Sequence, residues 1–239
     1  MKQWKENIFG DRAVLIEWPE DLSTDQRREI LEMDHYLGEN YQKEVLETVP
    51  AYNSMAIYLN KGVDVKDFIS ELKEIEIFPG WDRSSSRLVY IPVCYDAEFA
   101  PDLNIVASEN GLTVQEVIQL HSNGNYRVEF IGFLPGFPYL TGLDERLFTP
   151  RLPNPRPRIT EGSIGIGGKQ TGIYTMDSPG GWNIIGRSPL KFFSVSEVAP
   201  SLLRPGDMVK FRVIGRAEFD NILEQVSQGN YSLEINIYD

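Results

Sequence analysis

Residues 162–189 read G-S-I-G-I-G-G-K-Q-T-G-I-Y-T-M-D-S-P-G-G-W-N-I-I-G-R-S-P. Glycine or proline breaks this run at intervals shorter than a helix needs. Between the breaks stand β-branched and aromatic residues: Ile164, Ile166, Ile173, Tyr174, Ile184 and Ile185. That texture makes short strands joined by tight turns. It extends outward in both directions, from Tyr126 to a single helical pattern at Ala217 to Val226. The stretch therefore predicts a β-barrel or sandwich-like unit.

Upstream the texture changes. Leu88 to Val93 reads as the first strand of this unit, followed by helical patterns over Asp102 to Glu109 and Thr113 to His121. Thr113 and Glu116 form a capping box. Asp82-Arg83-Ser84-Ser85-Ser86-Arg87 reads as a linker. Before it, Arg12 to Trp18 and Ser54 to Leu59 read as strands. Ser23-Thr24-Asp25-Gln26 fits a second capping box, opening a helix that Gly38 is expected to stop. Val65, Phe68, Ile69 and Leu72 mark another amphipathic helix. The expectation is a small α+β domain over 1–85 and a mainly-β domain over 86–239.

Composition limits the chemistry. The 239 residues carry 23 Lys+Arg against 35 Asp+Glu, a formal charge of −12, with two histidines and one cysteine. One cysteine makes no intrachain disulfide, and the inventory is too small for a cysteine-based zinc site. His35 and His121 are the only candidate bases for triad chemistry. An acidic chain is poorly suited to nucleic acid or anionic membrane. No apolar run approaches the ~20 residues of a membrane helix, and residues 1–7 lack the apolar stretch of a secretion signal, so a cytoplasmic protein is expected.

Charge is not evenly spread. Residues 151–195 hold Arg151, Arg156, Arg158, Lys169, Arg187 and Lys191 against Glu161 and Asp177, a local +4 that leaves −16 elsewhere. The same segment holds eight of the 20 glycines. Glycine lets backbone N–H groups approach a ligand, and arginine offers a fork for carboxylate or phosphate. The segment fits an anion-binding site, or equally a barrel rim whose arginines pair with acidic neighbours. Ser178 to Trp182 reads as a turn exposing a large aromatic. Gly132 to Tyr139 (G-F-L-P-G-F-P-Y) alternates aromatics with turn formers, which either wall a pocket or plug a barrel end.

Other patterns fail on inspection. Gly168-Lys169-Gln170-Thr171 has Gln where a phosphate-binding loop needs Ser or Thr after its Lys. Gly162-Ser163-Ile164-Gly165 lacks nucleophile-elbow spacing. Ile105 to Leu120 resembles a helix-turn-helix without the Lys and Arg that DNA requires. Cys94 follows a strand pattern and reads as a small buried hydrophobe. His121 stands at a helix C-terminus, where a charged imidazole complements the dipole.

Three runs in order, Gly132 to Tyr139, Gly162 to Tyr174 and Ser178 to Pro189, closely resemble one family. It is that of the 5-oxoprolinase B-subunit, also called allophanate hydrolase subunit 1 or the KipI-type kinase inhibitor. Ile91 to Tyr95, Pro101-Asp102-Leu103 and Gly10-Asp11 extend the resemblance over nearly the whole chain. Departures are few: Asp96-Ala97 for Gly-Gly, Gly167 for Ala, Thr175 for Pro, and Thr160-Glu161 for Pro-Ala.

The resemblance implies an α+β N-terminal domain followed by a cyclophilin-like barrel, similar to the carboxyltransferase half-domains of urea carboxylase. It implies work beside a companion C-subunit (allophanate hydrolase subunit 2-like) and a LamB/YcsF-like A-subunit, opening 5-oxoproline to glutamate with ATP hydrolysis. Some members instead inhibit a sensor histidine kinase. A biotin-accepting Met-Lys-Met turn is absent from the sequence. For the lactam reaction, Arg158 and Arg187 are the expected charge clamps. Gln170, Thr171 and Ser178 are the expected hydrogen-bond donors. Phe133, Phe137, Tyr174 and Trp182 are the expected walls, and Pro135 and Tyr139 are expected in the same pocket. No general base and no metal ligand is evident, so the expectation is a subunit that shares its site.

Overall fold

The computed structural model describes residues 4–19, 24–75 and 86–238. They fall into two compact units, divided between residues 84 and 85.

The first unit runs β1 (Lys5–Ile8), β2 (Ala13–Glu17), α1 (Thr24–Asn40), β3 (Val45–Pro50), β4 (Ser54–Leu59) and α2 (Val65–Glu74). The strands form one antiparallel sheet in the order β1-β2-β4-β3. Strand side chains alternate between faces, so Val14, Ile16, Met55, Ile57 and Leu59 share one side. They pack with Ile30, Met33 and Leu37 of α1 and Phe68 and Leu72 of α2 into a single core. Asp64 starts α2 by accepting the Lys66 and Asp67 backbone N–H groups at 2.8 and 3.1 Å. Gly38 does not stop α1, which continues to Asn40. Glycine costs a helix only about 1 kcal/mol, and the fully buried Leu37 beside it anchors the last turns. Ser23 of the expected capping box lies outside the described residues.

The second unit runs β5 (Ser86–Cys94), α3 (Leu103–Glu109), α4 (Val114–Asn123), β6 (Tyr126–Ile131), β7 (Pro138–Thr141), β8 (Arg156–Ile159) and β9 (Ser163–Gly167). It continues with β10 (Gln170–Ile173), β11 (Ser178–Gly180), β12 (Asn183–Arg187), β13 (Met208–Ile214), α5 (Arg216–Ser227) and β14 (Ile235–Tyr238). Seven strands close a barrel in the order β12-β9-β10-β7-β6-β13-β5, with β5 returning to β12 through Arg187 and Cys94. β13 pairs with β5 in parallel, and β14 adds to β5 antiparallel. β8 and β11 form a separate two-stranded ribbon. Ser86 and Arg87, expected in the linker, belong to β5 and face Tyr238 and Ile237. Residues 82–85 of that linker lie outside the described residues. The capping box at α4 is formed, Glu116 N–H to Thr113 Oγ1 at 3.2 Å and Thr113 N–H to Glu116 Oε2 at 2.8 Å.

Val89, Ile91, Val93, Val128, Ile164 and Phe211 belong to the core of this unit, and His121 is fully buried beside them. The His121 Nδ1 lies 2.8 Å from Tyr95 Oη and its Nε2 lies 3.1 Å from Thr171 Oγ1. Thr171 donates its only hydroxyl proton to Gly165 O at 3.0 Å. Nε2 must therefore carry the imidazole proton, and Nδ1 accepts from Tyr95. Burial drives the His121 pKa down to about 3. The imidazole is neutral and cannot complement the α4 dipole as a cation, which corrects the sequence expectation. No described helix is long and apolar enough to cross a membrane.

Candidate functional site

Two clefts open beside the β8–β11 ribbon, and each strand of the ribbon lines one of them. The first has a volume of about 320 Å³ and is walled by Phe133, Phe137, Tyr139, Tyr174 and Trp182, with Arg151 as its one charged lining residue. The second, about 330 Å³, is lined by Arg156, Arg158, Arg187, Thr160, Ser163 and Glu98 among others. The expected aromatic walls thus come together, while the expected arginine clamps stand in a different cleft. Pro135, Gln170, Thr171 and Ser178 line neither.

The aromatic cleft is built by edge-to-face packing. The Phe137 ring centroid lies 5.3 Å from Tyr174 and 5.5 Å from Trp182, with interplanar angles of 84° and 83°. Tyr139 meets Trp182 at 5.9 Å and 72°. Such geometry places ring edges against ring faces, the arrangement the quadrupole favours. Glycines make the seat. A Cβ on Gly167 would lie 2.5 Å from Trp182 Nε1, and one on Gly165 would lie 3.0 Å from Trp182 Cβ. Trp182 is consequently 5% exposed, not displayed on a turn. Gly165, Gly167, Gly172 and Gly180 admit rings, rather than bringing backbone N–H groups to a ligand as their number suggested.

Phe133 is the opposite case. It is 63% exposed and is the one described non-glycine residue with positive φ, at 67°. Backbone held in the left-handed region by a bulky residue is strained, and such strain gathers at working sites. Its ring stands edge-on to Phe137, with centroids 5.6 Å apart. Pro135 is exposed, and its carbonyl accepts from Thr175 Oγ1 at 2.7 Å, fixing the loop from behind.

The arginine cleft is partly self-neutralised. Arg158 Nε and Nη2 both reach Asp177 Oδ2, at 2.9 and 2.5 Å. The Glu161 backbone N–H on Oδ1, and then Arg158, hold the Asp177 carboxyl below its usual range. Arg156 Nη2 is bound to the buried Asp102 at 2.6 Å, but its Nη1 is buried without a hydrogen-bond partner. Arg187 donates Nε to Glu161 O at 2.8 Å and stacks over Phe99, 5.8 Å from the ring centroid. Burial raises the Glu161 pKa, against the pull of Lys191 and Arg187.

Thr171 is wholly buried and spends its proton on Gly165 O, so it is not a donor to a cleft ligand. Gln170 is half-buried opposite Gly167. Ser178 is 8% exposed, pairs with Ile159, and its Oγ is buried without a partner. Arg151 and Arg156 are functional candidates that the motifs do not single out, although both lie in the basic segment 151–195. Among the described residues, no group of three or more His, Cys, Asp or Glu side chains is placed to hold a metal ion.

Known proteins resemble this chain over most of its length. The carboxyltransferase domain family, subdomains C and D, matches residues 4–203. The 5-oxoprolinase B-subunit of Bacillus subtilis (strain 168) is 37% identical over 91% of this chain and 95% of its own length. That of Escherichia coli O157:H7 is 38% identical over 85% of this chain and 93% of its own. Among solved structures, TTHA0988 is 35% identical with a TM-score of 0.75, over 85% of this chain. This chain spans 40% of the TTHA0988 chain. An uncharacterized protein, PH0987 from Pyrococcus horikoshii, is 41% identical over 90% of this chain and 100% of its own, with a TM-score of 0.54. The Kluyveromyces lactis urea carboxylase, 20% identical with a TM-score of 0.77, shares the fold over 98% of this chain. With the aromatic and arginine clefts set on a closed barrel, and these identities over nearly the full length, the chain belongs to the 5-oxoprolinase B-subunit family, within the carboxyltransferase family of subdomains C and D.

Proposed function

We propose that this chain is the B-subunit of an ATP-dependent 5-oxoprolinase complex, which opens 5-oxoproline to L-glutamate. The carrying observation is 37–38% identity to three proteins named as the 5-oxoprolinase B-subunit, over 85–91% of this chain. Its companions are a C-subunit of allophanate hydrolase subunit 2 type and a LamB/YcsF-like A-subunit, meeting in the cytoplasm. Residues 1–85 and 86–239 act as separate domains, the second a cyclophilin-like barrel.

The lactam is resonance-stabilised, and phosphorylating its carbonyl oxygen makes attack by water feasible. Charge builds up on that oxygen and its phosphoryl group, where preorganised cations are worth most. Arg187 supplies such a cation in the arginine cleft for the phosphoryl group being transferred, while Arg158, held by Asp177, positions the ribbon and lends its remaining N–H donors. The aromatic walls exclude water from the ring. ATP is a substrate of the assembled complex. The arginine cleft suits its phosphoryl charge, since three arginines, Arg156, Arg158 and Arg187, line it against one carboxylate, Glu98. A general base comes from one of the companions: His121 is enclosed and neutral, and His35 lies on an exposed face of α1 beside Glu39.

The test is 5-oxoproline-dependent ATP turnover by the chain mixed with its companion subunits. Turnover that needs all components supports the reading, and its absence overturns it. A second reading, a KipI-type inhibitor of a sensor histidine kinase, rests on the exposure of Phe133 at the cleft mouth. It requires the chain to slow kinase autophosphorylation, with Phe133→Ala relieving the effect.

A further inference from the structure

The aromatic cleft has its own cation. Arg151 lies with its guanidinium 5.6 Å from the Trp182 ring centroid, and it is the one charged residue lining that cleft. Among the described residues no carboxylate is paired with it, whereas Arg156 and Arg158 each hold one. Its charge reaches into the cleft: it opposes the rise that burial imposes on the Tyr139 and Tyr174 phenols. The backbone around it is fixed at three points. Thr149 bridges to Gly168, the Leu152 N–H bonds Gly181 O at 2.7 Å, and Asn183 Nδ2 bonds Pro150 O at 2.8 Å.

We propose that the aromatic cleft takes the lactam ring of 5-oxoproline, and that Arg151, rather than Arg158 or Arg187, meets its carboxylate. The assignment rests on the 5-oxoprolinase reading for the identity of the lactam. The physical case is one of fit. A five-membered ring offers C–H faces to Phe137 and Trp182. Its carboxylate needs a planar fork of donors, which an unpaired arginine at the rim supplies in bidentate form. A cleft of about 320 Å³ is at the small end of ligand pockets, as a compact ring requires. Tyr139 and Tyr174 line the same cleft, and their phenols are protonated at neutral pH, the more so because burial raises both pKa values. A ligand whose carboxylate bound Arg158 or Arg187 would place its ring outside the aromatic walls, because those two arginines line the other cleft.

The experiment is titration of the full chain with 5-oxoproline, followed by the indole N–H resonance of Trp182 and assigned with Trp182→Phe. The expected result is a saturable shift that Arg151→Gln weakens at least about ten-fold and Arg151→Lys partly restores. The uncharged 5-oxoproline amide should bind equally weakly to the wild-type and Arg151→Gln chains. Arg151 is exposed, so these replacements disturb only its contact with the Trp182 ring, and each variant's shift is therefore read against its own ligand-free resonance. A Trp182 resonance that stays still at millimolar 5-oxoproline, or moves equally in Arg151→Gln, overturns the assignment. Turnover by the assembled complex is measured in parallel. A Trp182 shift that depends on Arg151, found without turnover, sinks the 5-oxoprolinase reading and supports the cleft assignment.

Discussion

Asp102 and Arg156 form an ion pair beside the arginine cleft: Asp102 Oδ1 accepts from Arg156 Nη2 at 2.6 Å, and Oδ2 accepts the Ile184 N–H at 2.7 Å. Asp102 is 1% exposed, so its carboxylate ties the ribbon strand β8 to barrel strand β12 from a site water does not reach. Removing one partner of such a pair strands the other. Asp102→Ala is expected to cost about 3 kcal/mol, read as a lower denaturation midpoint, because Arg156 and the Ile184 N–H both lose their acceptor. A loss below about 1 kcal/mol would show that water replaces the carboxylate.

His121 predicts an acid-side loss of stability. Its pKa falls from 6.5 to about 3 on folding, so below pH 6.5 the unfolded chain binds a proton that the folded chain refuses. Stability contributed by this group is intact above 6.5 and falls by up to about 1.4 kcal/mol per pH unit between 6.5 and 3. His121→Gln should flatten that slope in urea titrations at pH 7 and pH 4.5, whatever it does to absolute stability. Imidazole ¹⁵N shifts should report the Nε2–H tautomer at both values.

Gly172 is set so that a methyl group has nowhere to go. A Cβ there would lie 2.9 Å from Pro138 O, 3.0 Å from Phe137 Cζ and 3.0 Å from Trp182 Cζ3. Gly172→Ala should destabilise by about 1–3 kcal/mol and shift Trp182 emission, since the rings yield before the backbone oxygen does. Unchanged emission would mean the strand moves instead.

Cys94 is wholly buried, and burial pushes its thiol pKa up. Alkylation by iodoacetamide should therefore follow global unfolding, with the same denaturant midpoint as fluorescence. Rapid labelling of the native chain would reveal a local opening at the β5–β12 seam.

Much of this fold is local and was readable. Ser54–Leu59 appears with the bounds its alternation implies, and Thr113 with Glu116 marks the start of α4. β1 and β3 escaped notice for identifiable reasons. β1 exposes Lys5, Asn7 and Ile8, so it carries no alternation to read and owes its form to pairing with β2. β3 shifts register between Val45 and Glu47, which breaks the two-residue period.

The site was legible in part. Aromatics set among turn formers do wall one cleft, because both properties lie in adjacent residues. The division of arginines between two clefts follows from pairing Arg156 with Gly180 and Ile159 with Ser178, contacts between segments apart in sequence. Arg151 looked like any exposed cation until Trp182, seated by glycines from two neighbouring strands, came to lie beneath it.

Strand β13 lies beyond residue 203, where the family match ends, yet it joins β6 to β5 in the barrel wall. Its pairing with the parallel partner β5 joins residues 120 positions apart, Met208 facing Leu88. A nascent chain therefore carries β5 and β6 with bare edges until residues 208–214 have left the ribosome. The barrel wall is completed only when β13 joins β5 and β6, and a chain that has not yet made these long-range pairings is the species most exposed to mispairing.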